Sequence, residues 1–548
     1  MSQAPAAIRS VGVLGGGTAG YFAALAFKRR WPDVKVTVIE SSRIPIIGVG
    51  EATTTLILPF LHGFLGIDAE ELYREVGPTW KLGLRMDWGM PSRPDFAYAF
   101  GDADLVNSFV HDGDITTQSL SSQMMLAQRS PVLQGADGQL TSLLPRIKYG
   151  YHLNNRPFVQ FLTRHAARMG VEHIDTVVED ARLAPDGETI LALRTDDGRE
   201  LAYDFVIDAS GFRSQLMRQT LGVPFESFRS TLWADTALVG PVAQSGPMQP
   251  YTLVETMDHG WCWRIPVRDE DHRGYVFSSA FCDVETAERE MRAKNPGLGR
   301  LNTVRFETGR ISTFWKGNTA ALGNSYGFVE PLESTSLHMV IVQLAYLLGA
   351  LETHGNVPET RAAANRQIGD HWDHLRWFLG VHYKFNHRKE TPFWRAARAD
   401  VDISGLAEDI ERYTREGPWN LLDQGEHSSR DPTFGHHGLL VLLLGQRVPT
   451  SRPLEPRVSV QRWRSHVAAQ RTLLSQAVPM REALAIVQAN PHMLQESTQS
   501  RASWVQQGAE AAVVNPHAVG GIYPRQWDPS TVAADAWAPL FSCCHERT

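Results

Sequence analysis

The sequence predicts an α/β fold built around a Rossmann-like dinucleotide-binding body. Two observations carry this prediction. A glycine-rich turn, G-x-G-x-x-G at positions 15–20, follows the short apolar run Ser10–Leu14, and an acidic residue, Glu40, closes a second apolar run at 34–39. Between them, residues 21–30 have the composition of a helix with a basic last turn. Strand, turn, helix, strand and acid in this order predict a βαβ unit that holds a dinucleotide.

Each glycine of this turn has a separate physical task. Gly15 permits a tight turn, Gly17 lets the backbone approach a pyrophosphate, and Gly20 lets the helix pack on the strand. The free N–H groups at the helix N-terminus attract an anion, and Glu40 can accept hydrogen bonds from ribose hydroxyls. The alternative that stays open is a glycine-rich turn without a ligand.

Later segments extend this unit. Residues 204–208 form another apolar run, followed by Ala-Ser-Gly, which fits a late strand returning to the nucleotide sheet, as in two-domain flavoproteins, or a plain core strand. No second G-x-G-x-x-G follows, so the sequence shows no separate NADPH domain. At 48–50 two glycines flank a valine, and a flat ring could rest on such a loop. From residue 331 onward the pattern is mostly helical.

Composition excludes several classes of protein. The 548 residues are 43% apolar and 21% charged, which supplies a sizeable core, and the length allows three or four domains. A net charge of −7 argues against nucleic acid as the main partner. The four cysteines lack a metal-ligand spacing and fit a reducing compartment. With no apolar run of about 18 residues and no signal-peptide stretch, we expect a cytoplasmic protein with no membrane partner.

Tryptophan is the one unusual residue type. The chain has 15 tryptophans, and Trp261 and Trp263 lie two positions apart in the segment 260–266. Because the side chains of a strand alternate, both rings are expected on the same face. Paired rings of this kind are more often core packing, and an aromatic pocket is the alternative.

A helix is predicted to begin near residue 335. Its apolar positions, from Leu337 to Leu351, step by three and four. The N–H groups of Thr335 and Ser336 at its start would suit an anion. Glu333, just before the helix, is either a reactive carboxylate or a charge favoured by the helix dipole.

Six segments together resemble one family, the FAD-dependent tryptophan-halogenase-like enzymes. They are G-G-G-T-A-G at 15–20, G-V-G-E-A-T at 48–53, T-W-K-L-G at 79–83, G-W-C-W-R-I-P at 260–266, E-P-L-E-S-T at 330–335, and H-Y at 382–383 with R-K-E-T-P-F-W at 388–394. The resemblance implies an FAD-binding body over 1–395, with substrate-facing insertions at about 85–150. A mainly helical portion, 396–548, would interlock with it and cap the substrate site.

The resemblance also implies an activity. A separate flavin reductase supplies reduced FAD, which reacts with oxygen; halide is oxidised to hypohalous acid, and this acid halogenates an aromatic substrate. Lys81 matches the lysine that holds or activates hypohalous acid, and Glu333 matches the assisting carboxylate. On composition alone Lys81 would be a surface lysine, but a desolvated lysine is the side chain most easily made reactive toward an electrophilic halogen.

The same resemblance assigns the remaining positions. Backbone N–H groups of Thr335 and Ser336 match the halide site, and Trp261 and Trp263 match the strand that separates flavin from substrate. The positions implied to contact FAD are Gly15, Gly17, Thr18, Ala19, Gly20, Glu40, Gly48, Val49, Gly50, Glu51, Ala52, Val177 and Asp208.

Departures from the family pattern bear on the substrate. Ser336 stands where enzymes of free tryptophan usually carry glycine, and residues 421–437 contain no tyrosine pair to grip an amino acid. Phe100 matches a pocket-lining residue, and Phe434 is the residue of that stretch that resembles an aromatic clamp. The adjacent histidines at 436–437 are expected to be solvated.

We therefore expect halogenation of a small, electron-rich aromatic of indole type, as in antibiotic biosynthesis. Free tryptophan is less favoured among these compounds, and a peptide-bound or carrier-bound indole also fits. The choice between bromide and chloride stays open, as does a homodimer. One rival function is an aromatic monooxygenase on the same fold, against which Lys81 and the tryptophan pair argue. Another is a flavin-binding protein without activity, against which Lys81 and Glu333 argue.

Overall fold

The computed structural model describes residues 8–44, 50–100, 119–418, 434–452 and 458–494. Within these ranges the strands are β1 (Ser10–Leu14), β2 (Lys35–Glu40), β3 (Glu51–Ala52), β4 (Thr79–Lys81), β5 (Gly83–Asp87), β6 (Phe96–Ala99), β7 (Val132–Gln134), β8 (Leu140–Ser142), β9 (Gly150–Leu153), β10 (Glu172–Asp175), β11 (Val178–Leu183), β12 (Ile190–Thr195), β13 (Glu200–Leu201), β14 (Phe205–Asp208), β15 (Phe225–Ser227), β16 (Thr236–Ala243), β17 (Thr252–Thr256), β18 (Gly260–Pro266), β19 (Glu270–Phe277), β20 (Asn302–Arg305), β21 (Gly309–Ile311), β22 (Trp315–Lys316), β23 (Thr319–Ala321) and β24 (Gly327–Phe328).

The α-helices of the described residues lie before, between and after these strands. They are α1 (Thr18–Arg30), α2 (Ala69–Glu75), α3 (Leu120–Ala127), α4 (Asn155–Arg168), α5 (Val284–Lys294), α6 (Ser336–His354), α7 (Pro358–Lys384), α8 (Pro392–Asp400), α9 (Ala407–Glu416), α10 (Gly435–Gly445), α11 (Val460–Gln476) and α12 (Met480–Ala489). Short π-helices follow β3 and β14, at Pro59–Phe64 and Gln215–Thr220. The chain is therefore an α/β protein whose last described third is mostly helical.

The predicted βαβ unit organises the first sheet. That sheet has six strands in the order β10-β2-β1-β14-β23-β22, and the first five run parallel. Strand β1 lies between β2 and β14, so the run predicted at 204–208 does return to the nucleotide sheet. The carboxyl ends of the parallel strands meet at one edge, where α1 begins, and this edge is where such sheets bind ligands.

A second sheet holds the tryptophan pair. Its seven strands have the order β20-β16-β19-β18-β17-β5-β6. Trp261 and Trp263 on β18 have ring centroids 5.7 Å apart, which confirms the predicted common face. The ring of Trp263 covers Gly274 of β19, where an added Cβ would come within 1.9 Å of a ring atom. Any larger residue at 274 would therefore displace this ring.

Helix α6 lies in the core. By length and composition it could cross a membrane, but 78% of its apolar 18-residue stretch is buried inside the protein. The sequence predicted a single apolar face, whereas the structure buries residues on every side of the helix from Leu337 to Leu348. Burial on all sides is typical of a helix in the core of a large protein. The first residues of α6 reach the functional edge of the nucleotide sheet.

The helical C-terminal portion shares the core of the body. Helix α10 packs on β6, where an added Cβ at Gly445 would come within 2.5 Å of the Phe96 ring. Leu440 of α10 and Val11 of β1 belong to the same cluster of buried apolar residues. These contacts give the interlocked arrangement that the sequence predicted. The boundary at residue 395 stays a prediction, and part of the 85–150 insertion, residues 101–118, lies outside the described residues.

Candidate active site

The glycine turn leaves an open face at the start of α1. Gly15 has a φ of +122° and passes so close to the chain that an added Cβ would lie 2.2 Å from the carbonyl oxygen of Ala209. A Cβ at Gly17 would meet no atom within 4 Å. Thr18 and Ala19 begin the helix, so their N–H groups face this opening. Such an opening at a helix N-terminus fits the pyrophosphate of FAD.

Glu40 lies directly beside this turn. A Cβ at Gly16 would come within 1.6 Å of Oε2 of Glu40. The hydroxyl of Tyr21 donates to Oε1 of Glu40 at 2.9 Å, and His173 Nε2 lies 3.0 Å from the same oxygen. Oε2 therefore faces the glycine turn, where a ribose hydroxyl could donate to it.

Glu51 is buried next to the nucleotide edge, with a partner that the sequence did not reveal. Asn155, at the start of α4, donates through Nδ2 to Oε1 of Glu51 at 3.2 Å, and its Nδ2 lies 3.5 Å from Thr18 Oγ1. Burial raises the pKa of Glu51 to about 7, against the opposing effect of the Asn155 hydrogen bond. Glu51 and Ala52 form β3, while Gly50 N–H donates to His272 Nδ1 at 3.0 Å. Gly48 and Val49 lie outside the described residues.

Asp208 and Val177 have protein partners of their own. Asp208 is fully buried and accepts from N–H and Oγ of Ser210 and from the N–H groups of Leu216 and Met217. Both of its oxygens are therefore used to hold the chain after β14. Val177 N–H donates to Asp196 Oδ1 at 3.3 Å. These contacts make Asp208 a support of the nucleotide edge.

A cleft beside the start of α6 brings the predicted anion site to the nucleotide edge. Thr335 and Ser336 line it together with Gly323 and Asn324, which follow β23. Gly323 has a φ of +59°, and an added Cβ would lie 3.1 Å from that of Ala19. The sequence analysis missed Gly323 and Asn324, although a glycine directly after an apolar strand was the available signal. The cleft places the halide candidates near the glycine turn.

Lys81 is completely buried at the end of β4. Its Nζ donates to Ser334 Oγ at 2.6 Å and lies 5.0 Å from the centroid of the Phe100 ring. Burial lowers the pKa of Lys81 to about 7, against the opposing charge of Glu333. Ser334 has a φ of +60°, a left-handed conformation that non-glycine residues rarely adopt. The predicted catalytic lysine and carboxylate thus share one buried site.

Glu333 is paired with a histidine that the sequence analysis quoted only as part of a motif. His382 Nε2 lies 2.7 Å from Oε1 of Glu333, and both side chains are 1% exposed. His382 Nδ1 lies 3.1 Å from the carbonyl oxygen of Phe378, which can only accept, so Nδ1 carries a proton. One further proton is then shared between His382 Nε2 and the carboxyl group of Glu333.

A second buried carboxyl group holds the tryptophan strand. Trp261 Nε1 donates to Oε2 of Glu330 at 2.7 Å, and the hydroxyl of Tyr383 donates to the same oxygen. Burial raises the pKa of Glu330 to about 7, against the opposing effect of these two hydrogen bonds. Sequence reasoning assigned no role to Glu330, because the partners lie 69 and 53 positions away. Glu330 therefore fixes the orientation of Trp261.

An aromatic path joins the C-terminal portion to Glu333. Phe434 stacks on Phe378 with centroids 4.2 Å apart and an interplanar angle of 5°, and Phe378 makes an edge contact with His382 at 5.5 Å. Phe100, beside Lys81, is the other predicted aromatic residue of the pocket. Residues 421–433 lie outside the described residues.

The prediction that the histidines at 436–437 are solvated is wrong. His436 is 6% exposed and lies 3.5 Å from Asp409, while burial lowers the pKa of His437 to about 4. Helix α10 carries His436 into the interior and leaves His437 half-buried, because the apolar residues that follow them pack on β6 and α7. The glycines that flank the two histidines suggested a surface loop, but these residues form a helix.

Comparison with known proteins identifies the family. The tryptophan halogenase family model matches residues 10–460. The tryptophan 7-halogenase KtzQ of Kutzneria sp. (strain 744) is 32% identical over 459 residues, which cover 77% of this chain and 85% of KtzQ. The solved structure of MibH, a lanthipeptide tryptophan 5-halogenase, is 43% identical with a TM-score of 0.85, covering 91% of this chain and 96% of MibH.

A third protein adds the cofactor class. BrvH, a flavin-dependent halogenase from Brevundimonas sp. BAL3, is 28% identical with a TM-score of 0.75, covering 88% of this chain and 99% of BrvH. These likenesses extend over most of the chain. The protein therefore belongs to the tryptophan halogenase family and is a flavin-dependent halogenase.

Proposed function

We propose that this enzyme uses reduced FAD, oxygen and a halide to halogenate the indole ring of a tryptophan residue within a peptide. The observation that supports the chemistry best is the buried Lys81, whose pKa of about 7 leaves a large neutral fraction at neutral pH. A neutral amine in a dry site can hold hypohalous acid by a hydrogen bond or form a haloamine with it. The haloamine route needs an unprotonated lysine, whereas either protonation state can donate the hydrogen bond.

The residues of the nucleotide edge fit FAD. The opening at Gly17 would receive the pyrophosphate, and Glu40 would accept hydrogen bonds from the ribose. The cleft at Thr335 and Ser336 would hold the halide beside the flavin ring. Reduced FAD, delivered by a separate reductase, would give two electrons to oxygen, and the halide would give two more as it is oxidised to hypohalous acid. Trp261, held by Glu330, would separate this cofactor end from the substrate end and keep substrate out of direct reach of the flavin.

Glu333 would complete the reaction at the substrate end. Electrophilic halogenation of an indole leaves one surplus proton on the ring carbon, and a positioned carboxylate can remove it. His382 shares a proton with Glu333 and is itself anchored on the carbonyl of Phe378. The proton removed from the ring therefore has a defined acceptor, and the acceptor keeps its orientation.

The peptide substrate is supported by two facts. MibH, whose name gives a lanthipeptide substrate, is 43% identical to this chain, whereas KtzQ, named for tryptophan itself, is 32% identical. In addition, residues 421–437 lack the tyrosine pair that would grip a free amino acid. A halogenase of free tryptophan would need another group to bind the α-carboxylate and α-amine.

The test is a reaction with reductase, NADH, FAD and either bromide or chloride. A tryptophan-containing peptide, free tryptophan and indole are each supplied, and the products are analysed by mass spectrometry. We expect the peptide to gain one halogen and lose one hydrogen fastest. Faster reaction of free tryptophan would contradict the peptide assignment, and a gain of oxygen would support a monooxygenase. Lys81→Ala should abolish halogenation and retain FAD binding, while the exposed Lys35→Ala serves as the matched control.

A further inference from the structure

We call the cleft lined by Thr335 and Ser336 the cofactor cleft. A cavity of about 280 Å³ opens beside it and has no role in the proposed chemistry. Four phenylalanines line it: Phe212, Phe225, Phe306 and Phe328. Phe328 makes edge contacts with Phe212 at 5.0 Å and with Phe306 at 4.9 Å. We call this space the phenylalanine cavity. A concave wall with several aromatic rings suits a flat organic molecule.

The phenylalanine cavity and the cofactor cleft share a wall. Asn324, Gly327 and Phe328 line both of them. Thr335 and Ser336 line the cofactor cleft on the far side of that wall. A molecule that occupied the phenylalanine cavity would therefore lie next to the space that the flavin ring is proposed to occupy.

One polar group in this cavity lacks a partner. Ser214 lines the cavity, is 3% exposed, and has no hydrogen-bond partner for its hydroxyl among the described residues. It also has a φ of +40°, which is a strained conformation for a serine. A buried hydroxyl without a partner and a strained backbone both carry a free-energy cost, and both cluster at ligand sites. A polar atom of a ligand would satisfy this hydroxyl.

Positive charge lies at the mouth of the cavity. The guanidinium group of Arg218 stacks over the ring of Phe225 at 4.7 Å and forms an exposed ion pair with Glu307 at 3.3 Å. Arg305, at the end of β20, is a second arginine in the lining. Two arginines and one glutamate leave a net positive mouth. Stacking surfaces and cationic side chains together favour a flat aromatic ring that carries phosphate.

We propose that the phenylalanine cavity is a transit site for flavin. The reduced flavin of a flavin-dependent halogenase arrives from solution, and here it would first place its ring on the phenylalanines and its phosphate near Arg218 and Arg305. It would then pass the wall at Asn324 and Gly327 into the cofactor cleft. This inference rests on the flavin dependence of the family and is independent of the identity of the substrate.

The test is the kinetics of FAD binding, followed by flavin fluorescence in a stopped-flow instrument. Some contacts form only while flavin passes through the cavity and are absent from both the free and the fully bound state. Their loss slows association and dissociation by the same factor. For the double variant Arg218→Ala/Arg305→Ala we expect association and dissociation each to slow by about 3- to 10-fold, with an unchanged Kd. The matched control is Arg289→Ala/Arg300→Ala, which removes the same charge from exposed residues that do not line the cavity.

Three outcomes would overturn the proposal. If neither rate constant changes, flavin does not pass these residues. If dissociation speeds up and Kd weakens, the arginines contact the bound cofactor and the cavity belongs to its final site. If association alone slows, and the effect disappears at high salt, the arginines act by long-range attraction. Ser214→Gly gives a second variant, because glycine relieves the backbone strain; both rate constants should fall while thermal stability is retained.

Discussion

Replacing Lys81 with methionine should stabilise the protein while removing its activity. Burial lowers the pKa of this lysine from 10.5 to about 7. Each pH unit between those values corresponds to about 1.4 kcal/mol, so folding at pH 7 loses about 4 kcal/mol at this position. Methionine is unbranched like lysine, is one atom shorter, and has no charge to bury. The variant loses the hydrogen bond to Ser334, about 1 kcal/mol, and a net gain of about 3 kcal/mol remains.

The sign of the pH dependence makes this prediction specific. Between about pH 7 and 10.5 the unfolded chain binds a proton at Lys81 that the folded chain does not bind. The parent therefore gains stability as the pH rises, whereas the variant has no such group. The advantage of Lys81→Met should be largest at or below pH 7 and should shrink by about 1.4 kcal/mol per pH unit above it.

The assay is urea unfolding of both apoproteins at about pH 7, 8 and 9, followed by tryptophan fluorescence. Lys35→Met is the control, because Lys35 is exposed and its removal should change the free energy of unfolding little at any of these pH values. A variant that is no more stable than the parent at pH 7 would refute the reasoning. So would a stability difference that is the same at pH 7 and pH 9, because it would place Lys81 in a solvated or fully paired state.

Three further substitutions test the other buried carboxyl groups. Glu333→Gln should lower kcat about 10²- to 10⁴-fold with unchanged FAD affinity, measured by steady-state halogenation and flavin titration; a near-normal kcat would exclude it as the base. Tyr383→Phe removes a donor to Glu330 and should lower the free energy of unfolding by about 1–2 kcal/mol in urea; no loss would deny that hydrogen bond a structural role. The pKa of Glu51 is raised to about 7, so FAD affinity should fall as pH rises through 7 and its carboxylate ionises beside the pyrophosphate. Glu51→Gln should flatten that profile, and an equally steep one would assign the titration to another group.

The predictable parts of this protein are those that a short stretch of sequence determines. The turn at 15–20 identified the βαβ unit, because glycine spacing and the flanking apolar runs are all local. Alternation along β18 placed Trp261 and Trp263 on one face. The roles of Lys81 and Glu333 came only through family resemblance, since sequence alone would have left Lys81 on the surface.

The missed contacts are long-range pairings between residues of ordinary type. His382 meets Glu333 because a core helix and a helix start pack together, and no local pattern encodes that meeting. Asn155 reaches Glu51 in the same way, across 104 positions. Each is a buried polar group whose partner is dictated by packing, and the need to satisfy such groups becomes visible only when the fold is known.

Burial is the common cause of the reactivity at this site. A dry cavity retains hypohalous acid and excludes competing water. The same burial disfavours the charged form of each ionisable group. The pKa of Lys81 therefore falls to about 7, and that of Glu330 rises to about 7. The buried amine of Lys81 and the buried carboxyl group of Glu330 are thus both partly neutral near pH 7. Reactivity and stability therefore oppose each other here, because the substitution that best relieves the buried charge also removes the group proposed to hold the halogen.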